Sequence, residues 1–207
     1  MSGRFITFEG VEGSGKSTNI VWTDYFLREH GIDTLRTHEP GRTKIGEEIR
    51  RVLLHTRDEP LMPMTELFMM FASRTQLLEE VIIPALRSGV WVLCDRFVDS
   101  SIAYQGGGRQ LGVKRVAALV EAMGDLYIEP DLTILLDIPA KLIPARLSNR
   151  TLDRFEREDE AFFERIRATY LAQARELPRM NVIDATQPLE DVEQAIEALL
   201  SPLITAD

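Results

Sequence analysis

The residues of this chain most suited to chemistry form one glycine-rich stretch, Gly10-Val11-Glu12-Gly13-Ser14-Gly15-Lys16-Ser17-Thr18. Its spacing, G-x-x-x-x-G-K-[ST], is that of a loop whose backbone N–H groups surround phosphate oxygens. A strand-like run over 4–9 precedes the stretch and a helix-like segment over 18–30 follows it, which is the context that such a loop needs. Lys16 is then expected to reach the outer phosphates of the ligand, and the Ser17 hydroxyl is expected to hold Mg²⁺.

Two aspartates compete for a second metal contact. Asp95 follows the apolar run 90–94, and Asp137 follows the apolar run 132–136. An aspartate at the end of such a strand helps to hold Mg²⁺ beside the loop hydroxyl in phosphate-loop proteins. Arg96 comes directly after Asp95 and offers a fork for a phosphate, whereas nothing comparable follows Asp137. The flanking residues therefore favour Asp95.

Arginines supply the remaining candidates. Arg42, Arg50 and Arg96 lie on the expected phosphate-acceptor side. Arg74 lies on an apolar-rich helical segment, where it must either reach solvent or meet a polar ligand, and the pattern favours neither. A charged segment after the fourth strand carries further arginines at a spacing that allows one shared helical face: Arg146, Arg150, Arg154 and Arg157. These form either a solvated face paired with local acids or a lid over a transferring phosphoryl group.

Strand-like and helix-like segments alternate along the chain, which predicts an α/β fold. The expected strands are 4–9, 33–37, 90–94, 132–136 and 181–184. The expected helices are 18–30, 44–54, 65–86, 113–123, a short one ending near Leu147, 158–176 and 189–200. We therefore expect a three-layer α/β/α arrangement around a mostly parallel five-stranded sheet. Ligands of such sheets lie beyond the carboxyl ends of the strands, where the motifs at 10–18, 38–43, 95–97 and 105–109 fall.

The composition limits the classes of partner. The 207 residues suffice for one α/β domain or at most two small ones. A net charge of −9 disfavours a broad basic face for nucleic acid. The one cysteine, Cys94, excludes an internal disulfide, lies in an apolar run and suits a reducing compartment. No apolar stretch approaches a membrane span, and the early first strand leaves no room for a signal peptide. We therefore expect a cytoplasmic protein that binds neither nucleic acid nor membranes.

The motifs together resemble those of bacterial thymidylate kinases, which move the γ-phosphate of ATP to dTMP. The resemblance runs over nearly the whole length and is most specific in the Asp-Arg-Phe and Tyr-Gln-Gly-Gly-Gly-Arg pieces, whereas the phosphate loop alone is generic. The segments that carry it are Phe8 to Thr18, Glu39-Pro40-Gly41, Asp95-Arg96-Phe97, Ala103 to Arg109, Pro130 to Thr133, Leu152-Asp153-Arg154 and Asp184-Ala185-Thr186.

The resemblance implies a single nucleotide monophosphate kinase domain over 1–207, with a lid at about 146–157, that serves dTTP synthesis. Lys16, Arg96 and, as the preferred lid arginine, Arg154 would carry charge during transfer. Metal contacts would come from Ser17 and Asp95, and the family forms homodimers. The implied dTMP site comprises Glu12 at the sugar 3′-hydroxyl, Arg50 and Arg96 at the phosphate, Arg74, Gln105 and Ser101 at thymine, Phe71 or Met70 stacked on the base, and Tyr104 where a ribose 2′-hydroxyl would lie.

Some positions depart from the family pattern. His38 replaces an arginine, Arg42 replaces a glycine, and Asn149-Arg150-Thr151 shifts a lid arginine by one residue. Met70 stands where many members have an aromatic residue, with Phe71 next to it. These changes leave open which lid arginine acts and which side chain stacks on thymine. Gly13 also matters, because a loop without an arginine must draw positive charge from its lid.

Two other functions remain open from the residues. A kinase for another deoxynucleotide or a deoxynucleoside would share the loop and the Asp-Arg pair. A free sugar hydroxyl as acceptor would need a carboxylate base, for which Glu39 is available. A nucleotide-binding switch is the other possibility, although the Asn-Lys-x-Asp motif that reads guanine is absent. With dTMP as acceptor, the attacking oxygen is already anionic and no general base is required.

Overall fold

The computed structural model describes residues 3–56, 58–147 and 152–205. Its sheet has the strand order β2-β3-β1-β4-β5, and every pairing is parallel. The strands are β1 (Phe5–Glu9), β2 (Thr34–His38), β3 (Trp91–Asp95), β4 (Leu132–Asp137) and β5 (Met180–Asp184). The predicted five-stranded parallel sheet is therefore confirmed, with each predicted strand within about one residue of its observed bounds.

Strand burial follows from position in the sheet. β1 pairs with β3 on one side and β4 on the other, and all five of its residues are buried. The edge strands β2 and β5 alternate between buried and more exposed residues. Continuous apolar runs are typical of strands covered on both faces. The apolar runs that precede Asp95 and Asp137 thus mark the two strands that flank β1.

Helices cover both faces of the sheet. The helices are α1 (Lys16–Glu29), α2 (Lys44–Leu54), α3 (Pro63–Leu77), α4 (Ile83–Arg87), α5 (Val98–Ser101), α6 (Val113–Ala122), α7 (Ile143–Arg146), α8 (Glu160–Glu176) and α9 (Leu189–Thr205). Ile6 and Phe8 share an apolar cluster with α1 and α9. Phe5, Val92 and Cys94 pack instead against the end of α3 and against α4. This arrangement is the expected three-layer α/β/α fold.

Two π-helical turns were not predicted. One, Leu78–Ile82, joins α3 to α4, so the predicted helix over 65–86 is continuous but changes its hydrogen-bond pattern. The other, Ile102–Gly108, follows α5 and contains the glycine cluster. Gly108 packs so closely on α8 that a Cβ there would lie 2.7 Å from the Phe162 ring. The glycines therefore let this turn lie directly against α8.

The expected helical face of arginines is wrong for the described part of the segment. α7 ends at Arg146, and α8 begins only at Glu160, because the Asp159 side chain caps it by accepting from Phe162 N at 2.7 Å. Arg154 lies in the turns between them, and so does Arg157. Arg150 is outside the described residues. Pro144 stands in the first turn of α7, where a proline is tolerated.

The sequence led to one expectation about Cys94 and another about membrane-spanning helices. Cys94 is fully buried, and burial raises the pKa of its thiol well above the ordinary value. It therefore behaves as a small apolar residue, as predicted. Within the described ranges, no helix has the length and apolar character needed to cross a bilayer.

Candidate functional site

A cavity of about 680 Å³ opens at the carboxyl ends of β1, β2 and β3. Its walls come from the phosphate loop, the turn after β2, the inner sides of α2 and α3, the segment after β3, and the residues on either side of the undescribed 148–151. The predicted residues among those lining it are Glu12, Gly13, Gly15, Lys16, Ser17, Thr18, Arg50, Arg74, Asp95, Arg96, Ser101, Tyr104 and Gln105. Motifs far apart in the sequence therefore meet in one cavity.

The phosphate loop is folded around its own lysine. Lys16 Nζ donates to Gly10 O at 3.1 Å and to Val11 O at 3.0 Å. Burial, with the nearby Arg96 charge, lowers the pKa of Lys16 to about 8. α1 begins at Lys16, so the positive end of that helix faces the loop. Carbonyl oxygens are weaker partners than phosphate oxygens for an ammonium group, so this arrangement is ready for an anionic ligand.

Arg96 is held by contacts from three directions. Its backbone adopts φ 70°. Nη1 donates to Gly10 O at 2.8 Å, and Nη2 donates to Glu12 Oε1 at 2.9 Å. The guanidinium lies 4.7 Å above the Tyr104 ring, and the Tyr104 hydroxyl is 2.7 Å from both carboxylate oxygens of Glu12. Burial alone would lower the pKa of Arg96, but Tyr104 and Glu12 raise it well above its ordinary value. Arg96 is therefore a fixed cation.

The sequence left open whether Arg74 reaches solvent or meets a polar group. In the structure it does not reach solvent. The residue is 2% exposed, and Nε donates to Glu39 Oε2 at 2.8 Å. Nη2 donates to Phe97 O and to Ser101 Oγ, both at 3.0 Å. Burial raises the pKa of Glu39, and the Arg74 charge acts against that rise. Arg74 lines the cavity, and among the described residues its buried Nη1 has no hydrogen-bond partner.

The α3 side chains beside Arg74 face different ways. Met70 lines the cavity. Phe71 is buried in a cluster with Leu67 and Val116, and its ring lies 4.8 Å from the Arg74 guanidinium carbon. The structure therefore places Met70 at the cavity and Phe71 beneath Arg74.

Glu66, which the sequence analysis did not single out, contacts both Gln105 and Arg154. Gln105 Nε2 donates to Glu66 Oε1 at 2.8 Å, and Arg154 Nη2 lies 2.7 Å from Glu66 Oε2. Arg154 Nε also donates to Leu53 O at 2.9 Å. Glu66 is fully buried. Its signal in the sequence was a charged residue on an apolar-rich helical segment, and Arg74 was singled out by the same kind of signal.

The lid arginines occupy different places. Arg154 points to α2 and α3 and is not among the residues lining the cavity. Arg146 does line the cavity, beside Gly13. Gly13 has φ +74°, and a Cβ there would lie 2.7 Å from Arg146 Cβ, so the glycine permits this approach. Arg42 lies outside the main cavity, in a neighbouring groove, and its backbone N donates to Glu47 Oε1 at 2.6 Å.

Oxygen donors suited to Mg²⁺ occur in the cavity. Ser17 and Asp95 both line it, whereas Asp137 is held by Arg167 through two contacts of 2.8 Å. In the described part of the chain, no cluster of three or more His, Cys, Asp or Glu side chains could hold a metal alone. Mg²⁺ commonly takes one or two protein oxygens and completes its shell with phosphates and water. The donor set therefore fits a metal that arrives with a nucleotide.

Comparison with known proteins agrees with these motifs. The family model described as thymidylate kinase matches residues 8–196. The thymidylate kinase of Bordetella pertussis (strain Tohama I) is 50% identical over 204 residues, which cover 98% of this chain and 96% of that protein. The thymidylate kinase of Pseudomonas putida (strain F1) is 50% identical over 207 residues, with coverage of 99% and 98%. The crystal structure of thymidylate kinase from Ehrlichia chaffeensis is similar with a TM-score of 0.79 at 29% identity, covering 97% of this chain and 99% of that one.

Proposed function

Because this chain belongs to the thymidylate kinase family and transfers the γ-phosphate of ATP to dTMP, we propose that both nucleotides meet in the cavity described above. One observation carries the placement. Lys16 Nζ and Arg96 Nη1 both donate to the carbonyl oxygen of Gly10, so the predicted donor and acceptor cations flank a single atom. Two phosphates bound to these cations would therefore be adjacent, which in-line transfer requires.

On the donor side, residues 10–18 would hold the phosphates of ATP. The backbone N–H groups of the loop and the start of α1 offer hydrogen bonds and positive potential. Lys16 would leave its two carbonyl partners for the phosphates. Ser17 and Asp95 would hold Mg²⁺, which supplies charge neutralisation at the nucleotide phosphates.

On the acceptor side, Arg96 and Arg50 would bind the phosphate of dTMP. Arg50 Nη1 donates to Pro40 O at 2.7 Å and lines the cavity. Glu12, fixed by Arg96 and Tyr104, would accept from the 3′-hydroxyl of the sugar. The Tyr104 ring fills the space beside that carboxylate and would exclude a ribose 2′-hydroxyl.

At the base, the unpartnered Nη1 of Arg74 would donate to a carbonyl oxygen of thymine. Gln105 would bond the same base, with Ser101 beside it. Met70 would cover the ring, and Phe71 would support Arg74 from below. Glu39 is bound to Arg74, so it is unsuited to act as a base for the deoxynucleoside alternative.

Charge developing during transfer would be met by Lys16, Arg96 and a lid arginine. Arg154 remains the predicted lid arginine, and its contacts with Leu53 and Glu66 would have to open for it to act. Arg146 already lines the cavity and is the competing cation. The attacking oxygen belongs to an anionic phosphate, so no side chain needs to remove a proton.

A coupled ADP-release assay tests the function and the placement together. With ATP and a panel of nucleoside monophosphates and nucleosides, we expect strong turnover with dTMP alone. Arg50→Ala should raise the KM for dTMP about tenfold and leave the KM for ATP unchanged, because a charged hydrogen bond is lost only on the acceptor side. Arg51→Ala, an exposed neighbour on α2, is the matched control. Equal changes in both KM values for Arg50→Ala would contradict the placement.

A further inference from the structure

Glu9 is a buried acid that the proposed mechanism does not use. It ends β1 directly before the phosphate loop, and its side chain is fully buried. Oε1 accepts from Phe97 N at 2.7 Å. Oε2 lies 2.5 Å from Ser100 Oγ and 2.7 Å from the Tyr170 hydroxyl. Burying an ionised carboxylate that is held by neutral donors costs free energy, so the protonation state of Glu9 matters for the fold.

The contacts around Glu9 Oε2 indicate the protonation state of this acid. Ser100 Oγ and the Tyr170 hydroxyl are also 2.8 Å apart, so these two oxygens and Glu9 Oε2 form a triangle of hydrogen-bond distances. Each side of the triangle needs one hydrogen. The two hydroxyls supply two, and a proton on Oε2 of Glu9 supplies the third. The carbonyl oxygen Oε1 then accepts from Phe97 N, so a neutral carboxylic acid satisfies every contact.

The electrostatic surroundings agree with the geometry. Burial, followed by the like charge of Asp99, raises the pKa of Glu9 to about 7. Hydrogen bonds from Ser100 and Tyr170 and the charge of Arg96 act in the opposite direction. The charged and titratable groups that face Glu9 are Lys16 on α1, Cys94 on β3, Arg96 after β3, Asp99 on α5 with its partner Arg179, and Tyr170 on α8. Glu9 therefore changes charge close to neutral pH.

Both hydroxyls of the triangle connect Glu9 to Arg96. Arg96 Nη1 lies 3.3 Å from Ser100 Oγ and 3.4 Å from the Tyr170 hydroxyl. When Glu9 is neutral, Glu12 is the carboxylate that balances Arg96 at hydrogen-bond distance. When Glu9 loses its proton, both hydroxyls turn their hydrogens to it and a second negative charge stands behind the guanidinium. The phosphate dianion of dTMP then binds less strongly to Arg96, because the negative charge of Glu9 already offsets part of the guanidinium charge.

We propose that Glu9 is a positioning residue whose proton keeps the Arg96 guanidinium available to the phosphate of dTMP. Binding of dTMP then weakens as Glu9 ionises. Glu9 acts through Ser100, Tyr170 and Arg96 and does not touch the nucleotide. The inference rests on the proposed placement of the acceptor phosphate at Arg96.

The test measures the Kd for dTMP by calorimetry without ATP, from about pH 6 to about pH 9, in the wild-type protein and in Glu9→Gln. Glutamine offers a carbonyl oxygen to Phe97 N and two N–H groups to the hydroxyls, so it imitates the protonated acid at every pH. We expect the ratio of wild-type to variant Kd to rise about fivefold or more across this range, with its midpoint above pH 7. The phosphate of dTMP and Lys16 titrate in both proteins, so their effects cancel in the ratio.

A control and a second variant separate the possible failures. Asp137→Asn changes the acid at the end of the neighbouring strand β4 and should keep the wild-type pH profile. A constant ratio for Glu9→Gln overturns the role of Glu9, provided that Arg96→Ala binds dTMP weakly. If Arg96→Ala binds dTMP as tightly as the wild-type protein, the acceptor site itself is misplaced.

A spectroscopic measurement needs no variant. Carbon-13 NMR of wild-type protein labelled at the glutamate carboxyl should show a signal that titrates near pH 7 and whose midpoint rises when dTMP is added. If every glutamate signal titrates at ordinary acidic pH, the proposal is wrong even where Glu9→Gln fails to fold.

Discussion

At the scale of single residues, the site holds its cations with backbone oxygens as much as with acids. The ammonium of Lys16 contacts the carbonyl oxygens of Gly10 and Val11, and Arg96 shares the first of them. A carbonyl carries only a partial negative charge, so it stabilises a cation less than a carboxylate does. Phosphates can therefore displace these contacts, whereas a lysine in a buried ion pair would resist displacement.

Lys16→Ala tests this reading of the loop. Turnover should fall at least about 100-fold, because a cation aimed at the transferring phosphoryl group is lost. The thermal midpoint should change little, since within the described ranges the lysine donates hydrogen bonds to two carbonyl oxygens and to no acid. The assay is steady-state ADP release combined with a thermal melt, and Lys114→Ala on the exposed side of α6 is the control. Near-normal kcat in Lys16→Ala would refute the assignment.

Residues of short motifs could be expected at the cavity from the sequence, whereas residues held there by distant contacts could not. Lys16, Ser17, Asp95 and Arg96 were predictable because loop spacing and strand ends fix their positions. Glu9 was not, since its partner Tyr170 lies 161 residues away along the chain. Its one local signal was an acid at the end of a buried strand, which Asp95 and Asp137 also show.

At the scale of elements, α3 joins the cavity wall to Arg154. It carries Arg74 and Met70 towards the cavity, and Glu66 near its start receives Gln105 and Arg154. Helical periodicity predicts which of its side chains share a face. It does not predict which face meets the cavity, because that depends on the packing of α2 and α6 against α3.

Replacing neighbours on α3 separates contact with the base from support. Met70→Ala should raise the KM for dTMP about tenfold with unchanged stability, because an apolar wall of the cavity is shortened. Phe71→Ala should lower the free energy of unfolding by about 3 kcal/mol, because it opens a hole beneath Arg74. Kinetics and urea unfolding measure the two effects, with Met69→Ala as the matched control. The opposite pattern would show that Phe71 covers the base.

The segment before α8 shows that residue spacing alone does not predict a helix. Arginines at three- to four-residue spacing suggested one helical face, yet Asp159 caps α8 and leaves Arg154 in a turn. The separate helix expected over 158–176 is present as α8, which begins two residues later than predicted. The other predicted helices begin and end within about five residues of their observed bounds, because apolar periodicity and Pro or Gly mark their ends, whereas α5 was not predicted.

At the scale of the molecule, strand order turns separate motifs into one site. The phosphate loop follows β1 and the Asp95-Arg96 pair follows β3, and these strands are neighbours in the order β2-β3-β1-β4-β5. The alternation of elements predicted a parallel sheet but not this order, since several orders satisfy the same alternation. The strand order brings positively charged side chains together at one place, although the net charge of the chain is −9.

The exposed side of α3 is our candidate for the proposed homodimer contact. Phe68 on α3 and Met62 just before it are each 54% exposed, and exposed large apolar side chains are common at contacts between proteins. Phe68→Arg should reduce the solution mass by light scattering from that of two chains to that of one. Tyr25→Arg changes a residue on α1 that is 64% exposed and should leave the mass unchanged. A wild-type protein with the mass of one chain would reject the dimer.

Stability against pH tests the buried acid independently of any nucleotide. The pKa of Glu9 rises from 4.5 to about 7 on folding, so the folded protein binds more protons than the unfolded chain between these values. The free energy of unfolding therefore falls as pH rises through this window, by about 3 kcal/mol from this group. Glu9→Gln cannot ionise, so its stability relative to the wild-type protein should increase by a similar amount from about pH 5 to about pH 8.

Urea unfolding at the two pH values measures that difference, and groups that titrate in both proteins cancel from it. Glu80→Gln removes an exposed carboxylate from the turn that follows α3 and should show no pH-dependent difference. Because a buried charge destabilises the fold wherever it appears, the same acid that adjusts Arg96 at neutral pH also limits stability in alkaline solution. An unchanged difference between Glu9→Gln and the wild-type protein at both pH values would mean that Glu9 is already ionised in the folded protein at acidic pH.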